Sequence, residues 1–161
     1  MSNNELFSWS DSYNVGIQEV DEQHRVLVSL LNQLHEAIRE HRGSATSRDI
    51  LGRLAEYTRT HFLLEESLMR LTHYPGFEIH KQQHEELIKQ VQDLQYKIDN
   101  ENAAITFELL HFLKGWLTQH INDSDKRFGA FFETAGLTQY TTWTKEVETT
   151  MKKKKWWWKF W

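Results

Sequence analysis

The amino-acid sequence predicts an all-α protein folded as an antiparallel, up-down-up-down four-helix bundle with an N-terminal irregular arm and a short C-terminal extension. Apolar residues recur at intervals of three and four in four stretches of similar length, which is the spacing of one helix face. The 161 residues include one proline and seven glycines, so few residues interrupt a helix. Short connections between the stretches favour antiparallel neighbours.

The first two helices are predicted from about Val20 to His41 and from about Arg48 to Leu71. Gly43 is expected to end the first helix, because glycine readily adopts the left-handed conformation that follows a helix. The segment from Ser44 to Ser47 is expected to cap the second helix. The apolar face of the first helix consists of Val26, Leu27, Leu30, Leu31, Leu34 and Ile38.

The second pair of helices is predicted from about Phe77 to Asn100 and from about Ala103 to Asp125. The sequence Tyr74-Pro75-Gly76 separates the two pairs, because proline and glycine favour a turn. After Arg127, three aromatic side chains are expected to close one end of the bundle. These are Phe128, Phe131 and Phe132.

Further segments flank the predicted helices. Residues 1–18 are expected to form an irregular arm on the outside of the bundle, carrying Phe7, Trp9, Tyr13 and Ile17. We therefore divide the chain into the bundle with its arm (1–136), a short terminal helix from Leu137 to Met151 (137–151) and a tail (152–161).

Composition excludes several classes of protein. The absence of cysteine excludes disulfides, thiolate zinc sites and iron–sulfur clusters, so any metal ion must be held by nitrogen and oxygen ligands. Residues 1–151 carry 14 basic residues against 23 acidic ones, because five of the 19 basic residues lie in the last ten positions. Such an acidic body disfavours binding to nucleic acid. No stretch resembles a secretory signal or a membrane span, so we expect a cytoplasmic protein.

Each predicted helix carries at least one side chain that can bind a metal ion. The set consists of His24, His61, Glu65, His80, His84, His120 and Asp125. A pair spaced by four residues lies on one helix face. Five imidazoles and two carboxylates are too many for one zinc ion, but they suit two six-coordinate ions bridged by the carboxylates. Burying so many polar groups in a core costs several kcal/mol unless a cation compensates for it.

Four stretches together resemble the bacterial hemerythrins, over residues 9–132. They read WSDSYNVGIQEVDEQH, HFLLEE, HKQQH and FLKGWLTQHINDSD. The resemblance implies two iron ions (Fe2+/Fe3+), one bound by His80, His84 and His120 and the other by His24 and His61. It also implies that Glu65 and Asp125 bridge the ions together with an oxo or hydroxo group. The iron with two histidines then keeps a vacant position for dioxygen.

The function implied by this resemblance is reversible dioxygen binding, for oxygen carriage, storage or delivery, without catalysis. The ligand count agrees, because a site rich in histidine stabilises high-valent iron less well than a carboxylate-rich site with paired Glu-x-x-His motifs. Two alternatives remain open: an oxygen or redox sensor, and a di-iron enzyme acting on peroxide or nitric oxide. Iron storage is disfavoured, because the ligands form one closed site.

Family resemblance also marks an apolar oxygen pocket formed by Phe62, Trp116, Leu117 and Ile121. Each of these residues is adjacent to a predicted ligand or one helical turn from one. Ordinary core packing explains the same residues equally well, and the two interpretations are compatible. A dry pocket would slow the loss of charged oxygen species from the site.

The fourth helix poses a geometric problem. A step of five residues turns about 140° around a regular helix, so His120 and Asp125 cannot both point inward from it. We expect the helix to end or loosen near residues 122–124, or to contain a π-like turn. Asp123, three residues after His120, is the rival ligand on regular helical geometry, whereas the family pattern favours Asp125.

Other polar residues are not assigned to the metal. His41 and His73 lie near predicted helix ends and are expected to be exposed, whereas His35 and His111 are expected to be partly buried without a ligand partner. Glu66 faces about 100° away from its neighbour Glu65, which indicates a solvated residue or one that contacts a ligand from outside.

The tail has the sequence KKKKWWWKFW, residues 152–161. Lysines that meet anionic headgroups and tryptophans that settle at headgroup level are typical of a peripheral membrane contact. Such a contact would place the protein at the inner face of the membrane, near a membrane-bound oxygen-consuming enzyme. A disordered tail, an appendage and aromatic residues folded back on the body remain equally open interpretations.

Overall fold

The computed structural model describes residues 5–135, which fold as a bundle of long helices without a β-strand in that range. The bundle helices are α1 (Gln18–Arg39), α2 (Ser44–Leu71), α3 (Phe77–Glu101) and α4 (Phe107–Gln119). A π-helical segment, His120–Asp125, continues α4 directly into α5 (Lys126–Thr134), and a 3-10 turn, Asp11–Tyr13, precedes α1. The predicted fold class is confirmed.

The apolar face of α1 packs into the core with one exception. Leu27, Leu31 and Leu34 are almost completely buried, whereas Val26 is 39% exposed. The prediction that Val26 belongs to the buried face was wrong. Val26 precedes Leu27 by one residue, so it lies about 100° around the helix axis from it and falls beside the apolar stripe.

Two helices end on a histidine in the left-handed conformation. His41 follows α1 with φ 52°, and Arg42 N–H donates to the Ala37 carbonyl at 3.0 Å. His73 follows α2 with φ 54° in the same way. Gly43, which was predicted to end α1, instead precedes α2 at its N-cap position with φ 96°. The sequence contains no signal for the left-handed histidines, because glycine is the usual residue there.

Two helices also begin at different residues from those predicted. The segment from Ser44 to Ser47 forms the first turn of α2 rather than its cap. Helix α4 begins at Phe107 rather than near Ala103, and the Thr106 hydroxyl oxygen accepts a hydrogen bond from Leu109 N–H at 3.2 Å. Such a side-chain acceptor satisfies one of the free N–H groups at the start of a helix.

The N-terminal arm contributes to the core instead of only covering its outside. Phe7 and Ile17 are almost fully buried, and Trp9 and Tyr13 are partly buried. Asn32 of α1 fixes the arm by bonding both the N–H and the carbonyl of Phe7, at 2.9 and 2.8 Å.

Helix α5 closes one end of the bundle. Phe128 and Phe132 are 1% exposed and Phe131 is partly buried, as the sequence predicted. Gly129 allows the arm to pass close by, because a Cβ atom at this position would lie 2.0 Å from the Val15 carbonyl oxygen.

The predicted terminal helix (137–151) and the tail (152–161) lie outside the described residues. Within residues 5–135, no helix is both long and apolar enough to cross a membrane.

Candidate metal centre

Seven polar side chains meet in the interior between the helices. They come from α1 (His24), α2 (His61 and Glu65), α3 (His80 and His84) and the π-helical segment (His120 and Asp125), and each is 5% exposed or less. The structure therefore brings together all seven residues that the sequence singled out. Their burial in an otherwise apolar core calls for a compensating charge.

Each carboxylate offers its two oxygens to histidines from different helices. Asp125 Oδ1 lies 2.9 Å from His80 Nε2 and 3.0 Å from His120 Nε2, while Oδ2 lies 2.9 Å from His24 Nε2. Glu65 Oε1 lies 3.0 Å from His61 Nε2, and its Oε2 lies 3.2 Å from His80 Nε2. This is the arrangement in which a carboxylate can bridge two cations.

The side chains form two groups whose possible ligand atoms lie within 4.8 Å of one another. One group consists of His80, His84, His120, Glu65 and Asp125, and the other of His24, His61, Glu65 and Asp125. Both groups contain the same two carboxylates. The described residues thus provide two adjacent sites with shared oxygen ligands.

Several of these atoms are buried without a hydrogen bond. They include Nε2 of His24 and His61, Oε1 of Glu65 and both carboxylate oxygens of Asp125. The short distances between them do not have hydrogen-bond geometry, and an unsatisfied buried polar atom costs about 1–3 kcal/mol. A cation at each site would satisfy these atoms. Imidazole nitrogen and carboxylate oxygen are suitable donors for iron and similar divalent ions.

The electrostatics of the cluster favour positive charge. Burial alone would lower the pKa of His24 and of His80, but the nearby carboxylates of Asp125 and Glu65 raise the two pKa values to about 9 and about 10. Burial would raise the pKa of each carboxyl group, yet the surrounding histidines hold the pKa of Glu65 and that of Asp125 below the usual range. For His61, burial prevails and lowers the pKa.

The π-helical segment explains how Asp125 reaches the centre. Its turn is wider than that of an α-helix, with hydrogen bonds between residues five apart, and it brings Asp125 to the same side as His120; the predicted π-like turn is therefore confirmed. Ser124 Oγ donates to Gln83 Oε1 of α3 at 2.6 Å, which ties this segment to the bundle. Asp123 faces outward with a half-exposed side chain and pairs with Arg127 at 2.7 Å.

Two side chains contact the histidines from outside the cluster. Gln23 Oε1 lies 2.8 Å from His61 Nδ1, and Glu66 Oε2 lies 3.2 Å from His84 Nδ1. The sequence indicated an outer contact or a solvated position for Glu66, and the structure gives the outer contact. Gln23 was missed, because only its position next to His24 distinguishes it from other glutamines.

Aromatic rings flank the cluster on one side. Phe62 stacks on His84 with 3.7 Å between ring centroids, and Trp116 stacks on His120 at 4.5 Å. Beside these rings lies a cavity of about 40 Å³, lined mainly by apolar side chains that include Phe62, Trp116 and Leu117. Ile121 is fully buried but does not line this cavity.

The other histidines lie apart from the two groups. His35 is partly buried, with its ring centroid 5.7 Å from that of Phe107. His41 and His73 are exposed, as predicted. His111 is also exposed, so the expectation that it is partly buried was wrong.

Comparison with known proteins agrees with this arrangement. Residues 15–132 match the hemerythrin HHE cation binding domain. The bacteriohemerythrin of Stenotrophomonas maltophilia is 34% identical over 123 residues, which cover 76% of this chain and 79% of the relative. That of Clostridium acetobutylicum is 29% identical, covering 76% and 98%. A crystal structure of wild-type hemerythrin superposes with a TM-score of 0.73 at 27% identity, covering 78% of this chain and 96% of the other. This chain therefore belongs to the hemerythrin family.

Proposed function

We propose that this protein binds two iron ions at the buried centre and uses them to bind dioxygen reversibly, for oxygen carriage, storage or delivery. The observation that carries the proposal is the pair of adjacent ligand groups that share Glu65 and Asp125. Membership of the hemerythrin family supports the same conclusion.

In this proposal, His80, His84 and His120 bind one iron, and His24 and His61 bind the other. Glu65 and Asp125 would each offer one oxygen to either ion, and the family resemblance implies an oxo or hydroxo group as a further bridge. The second ion would have one histidine fewer than the first, which would leave one of its coordination positions for a small ligand. The two ions would supply the electrons for reversible binding of dioxygen, and the seven clustered side chains would hold the ions in place.

The apolar side chains beside the centre would protect it from water. Phe62 and Trp116 cover the rings of His84 and His120, and Leu117 extends the same surface. Phe62 also lies beside His61 on the two-histidine side, with 6.0 Å between ring centroids. The hydroxyl group of Thr58, which also lines the cavity, donates to the Leu54 carbonyl at 2.7 Å. These side chains exclude water and make the release of a charged oxygen species unfavourable. Ile121, the fourth residue assigned to the pocket, is fully buried and follows His120 directly in the chain.

An absorption spectrum tests the proposal directly. We expect a visible charge-transfer band to appear when oxygen is added to the anaerobically reduced, iron-loaded protein and to disappear under vacuum. Iron content measured on the same sample should approach two ions per chain. A protein that takes up no iron, or whose spectrum does not respond to oxygen, would contradict the proposal.

We further propose that the centre acts as a carrier and not as an enzyme. The five imidazoles in the cluster support this, because sites that activate oxygen for oxidation are richer in carboxylates. Peroxide or nitric oxide, supplied with a reductant, should therefore be consumed no faster than by the spontaneous reaction. Steady turnover of either substrate would assign the protein to the enzymatic alternative.

We also propose that the tail, residues 152–161, holds the protein against an anionic membrane surface, near a membrane-bound oxygen consumer. Its sequence supports this, because each basic residue near such a surface contributes roughly 1 kcal/mol to binding. The chain should co-sediment with anionic vesicles and not with neutral ones. A variant that ends at Met151 should remain in the supernatant, and equal sedimentation of both forms would refute membrane contact through the tail.

A further inference from the structure

Two histidines of the centre are contacted at Nδ1, the ring nitrogen that faces away from the cluster, by side chains of different charge. The Nδ1 atom of His61 lies 2.8 Å from the neutral amide oxygen of Gln23, which is 4% exposed. The Nδ1 atom of His84 lies 3.2 Å from the carboxylate of Glu66, whose side chain is 12% exposed. Each contact joins two different helices, so it also fixes the orientation of the imidazole ring.

The direction of these hydrogen bonds follows from the chemistry of imidazole. Nε2 of each ring faces the carboxylates of the centre, and an Nε2 atom that binds a cation must be free of its proton. The proton of each neutral ring therefore resides on Nδ1. His61 donates it to Gln23 Oε1, and His84 donates it to Glu66 Oε2.

We propose that Gln23 and Glu66 are positioning residues that make the two iron positions electronically unequal. This inference rests on the proposed di-iron function. A carboxylate that accepts the Nδ1 proton makes Nε2 a stronger electron donor, whereas an amide does so only weakly. Glu66 thus stabilises the ferric state of the ion on the three-histidine side. Gln23 leaves the ion on the two-histidine side easier to return to the ferrous state.

This inequality suits the proposed use of the centre. The ion with only two histidines has room for dioxygen, and it must return to the ferrous state when dioxygen leaves. A neutral partner behind His61 favours that return. A charged partner at the same position would favour permanent oxidation of the ion.

Isosteric exchanges test the proposal, because Gln23→Glu and Glu66→Gln each change the charge with little change in shape. We expect Gln23→Glu to increase the preference of the two-histidine ion for the ferric state about tenfold, which corresponds to about 59 mV for a one-electron step. We expect Glu66→Gln to decrease the preference of the three-histidine ion by a similar factor. Potentiometric titration followed by Mössbauer spectroscopy measures the two ions separately.

Matched controls carry the same charge changes on the surface. Gln33→Glu on α1 and Glu86→Gln on α3 alter exposed side chains, and both potentials should stay within experimental error of the unsubstituted protein. Equal shifts in the control variants and the test variants would show a general charge effect and would overturn the proposal.

A measurement on the unsubstituted chain keeps the proposal testable even if a variant does not fold. In the zinc-loaded protein, the Nδ1–H proton of His84 should resonate further downfield than that of His61, because it is shared with a carboxylate. Equal positions or the reverse order would overturn the inference. Failure of the unsubstituted protein to bind iron would instead refute the proposed function, whereas unchanged potentials with an intact oxygen response would refute this inference alone.

Discussion

Asp125 and Asp123 illustrate how strongly the local backbone determines the role of a residue. They are two positions apart and carry the same functional group, yet Asp125 is 1% exposed in the centre while Asp123 pairs with Arg127 at the surface. A regular helix would have turned Asp123 inward. The π-helical segment places Asp125 there instead. Substitution of Asp125 can therefore be compared with the same substitution of Asp123.

Asp125→Asn should reduce the iron content from two ions per chain to one or fewer. Each carboxylate oxygen of Asp125 faces one of the two groups of histidines, and the neutral amide of asparagine has only one oxygen. Asp123→Asn should retain both ions, because it removes only an exposed ion pair, which contributes about 0–1 kcal/mol. Iron per chain is measured by elemental analysis after loading and desalting. Equal iron contents in the two variants would show that Asp125 is not a ligand.

The seven clustered side chains could be predicted from sequence, but the contact of Gln23 with one of them could not. One or two metal-binding side chains on each apolar helix stand out, because such positions normally hold leucine or isoleucine. Gln23 does not stand out, because it lies among other polar residues at the start of α1. Its contact with His61 joins residues 38 positions apart, which depends on how α1 packs against α2.

At the scale of whole elements, helix ends were predicted accurately where proline and glycine mark a turn. The start of α3 at Phe77 and the end of α2 at Leu71 were both predicted, because Tyr74-Pro75-Gly76 lies between them. The end of α1 was misplaced, because a histidine adopts a conformation that usually signals glycine. His41 has φ 52°, which brings its Cβ atom into an unfavourable contact with the backbone.

His41→Gly should therefore stabilise the protein by up to about 1 kcal/mol, since glycine adopts a positive φ without a steric cost. The exposed side chain at this position is far from any predicted ligand in sequence, so iron binding should not change. Urea denaturation of the metal-free protein gives the free energy of unfolding.

The matched control for this substitution is Arg39→Gly, which introduces the same residue inside the last turn of α1. It should lower the free energy of unfolding by about 1 kcal/mol, because glycine is unfavourable within a helix. A loss of stability in the His41 variant would mean that its side chain makes a contact that outweighs the backbone effect.

On the scale of the whole molecule, the buried charges couple stability to pH. The raised pKa values of His24 and His80, about 9 and about 10, contribute stability to the metal-free protein below pH 6.5. This contribution is lost as the pH rises through those values. The lowered pKa values of Glu65 and Asp125 contribute stability above their ordinary values of 4.5 and 3.8, which is lost as the pH falls. The lowered pKa of His61 favours its neutral form and acts against stability below pH 6.5.

The melting temperature of the metal-free protein should therefore fall as the pH is raised from about 7 to about 10. In the iron-loaded protein the cations replace the protons of these histidines, so the melting temperature should depend much less on pH over the same range. Iron loading at neutral pH should also release protons, which a weakly buffered solution with an indicator dye detects. A metal-free protein whose melting temperature is constant or rises over this range would contradict the conclusion that His24 and His80 are protonated at neutral pH.

The almost complete burial of the seven clustered side chains also has a kinetic consequence. None of the seven clustered side chains can reach a chelator while the helices remain packed, because each of them is 5% exposed or less. Iron bound as proposed would leave only when the bundle opens locally, and the rate of that opening does not depend on the concentration of the chelator. The rate of iron loss should thus reach a limit that no further chelator can raise. That limit equals the rate at which the bundle opens, so the rate of iron loss at saturating chelator measures a motion of the fold.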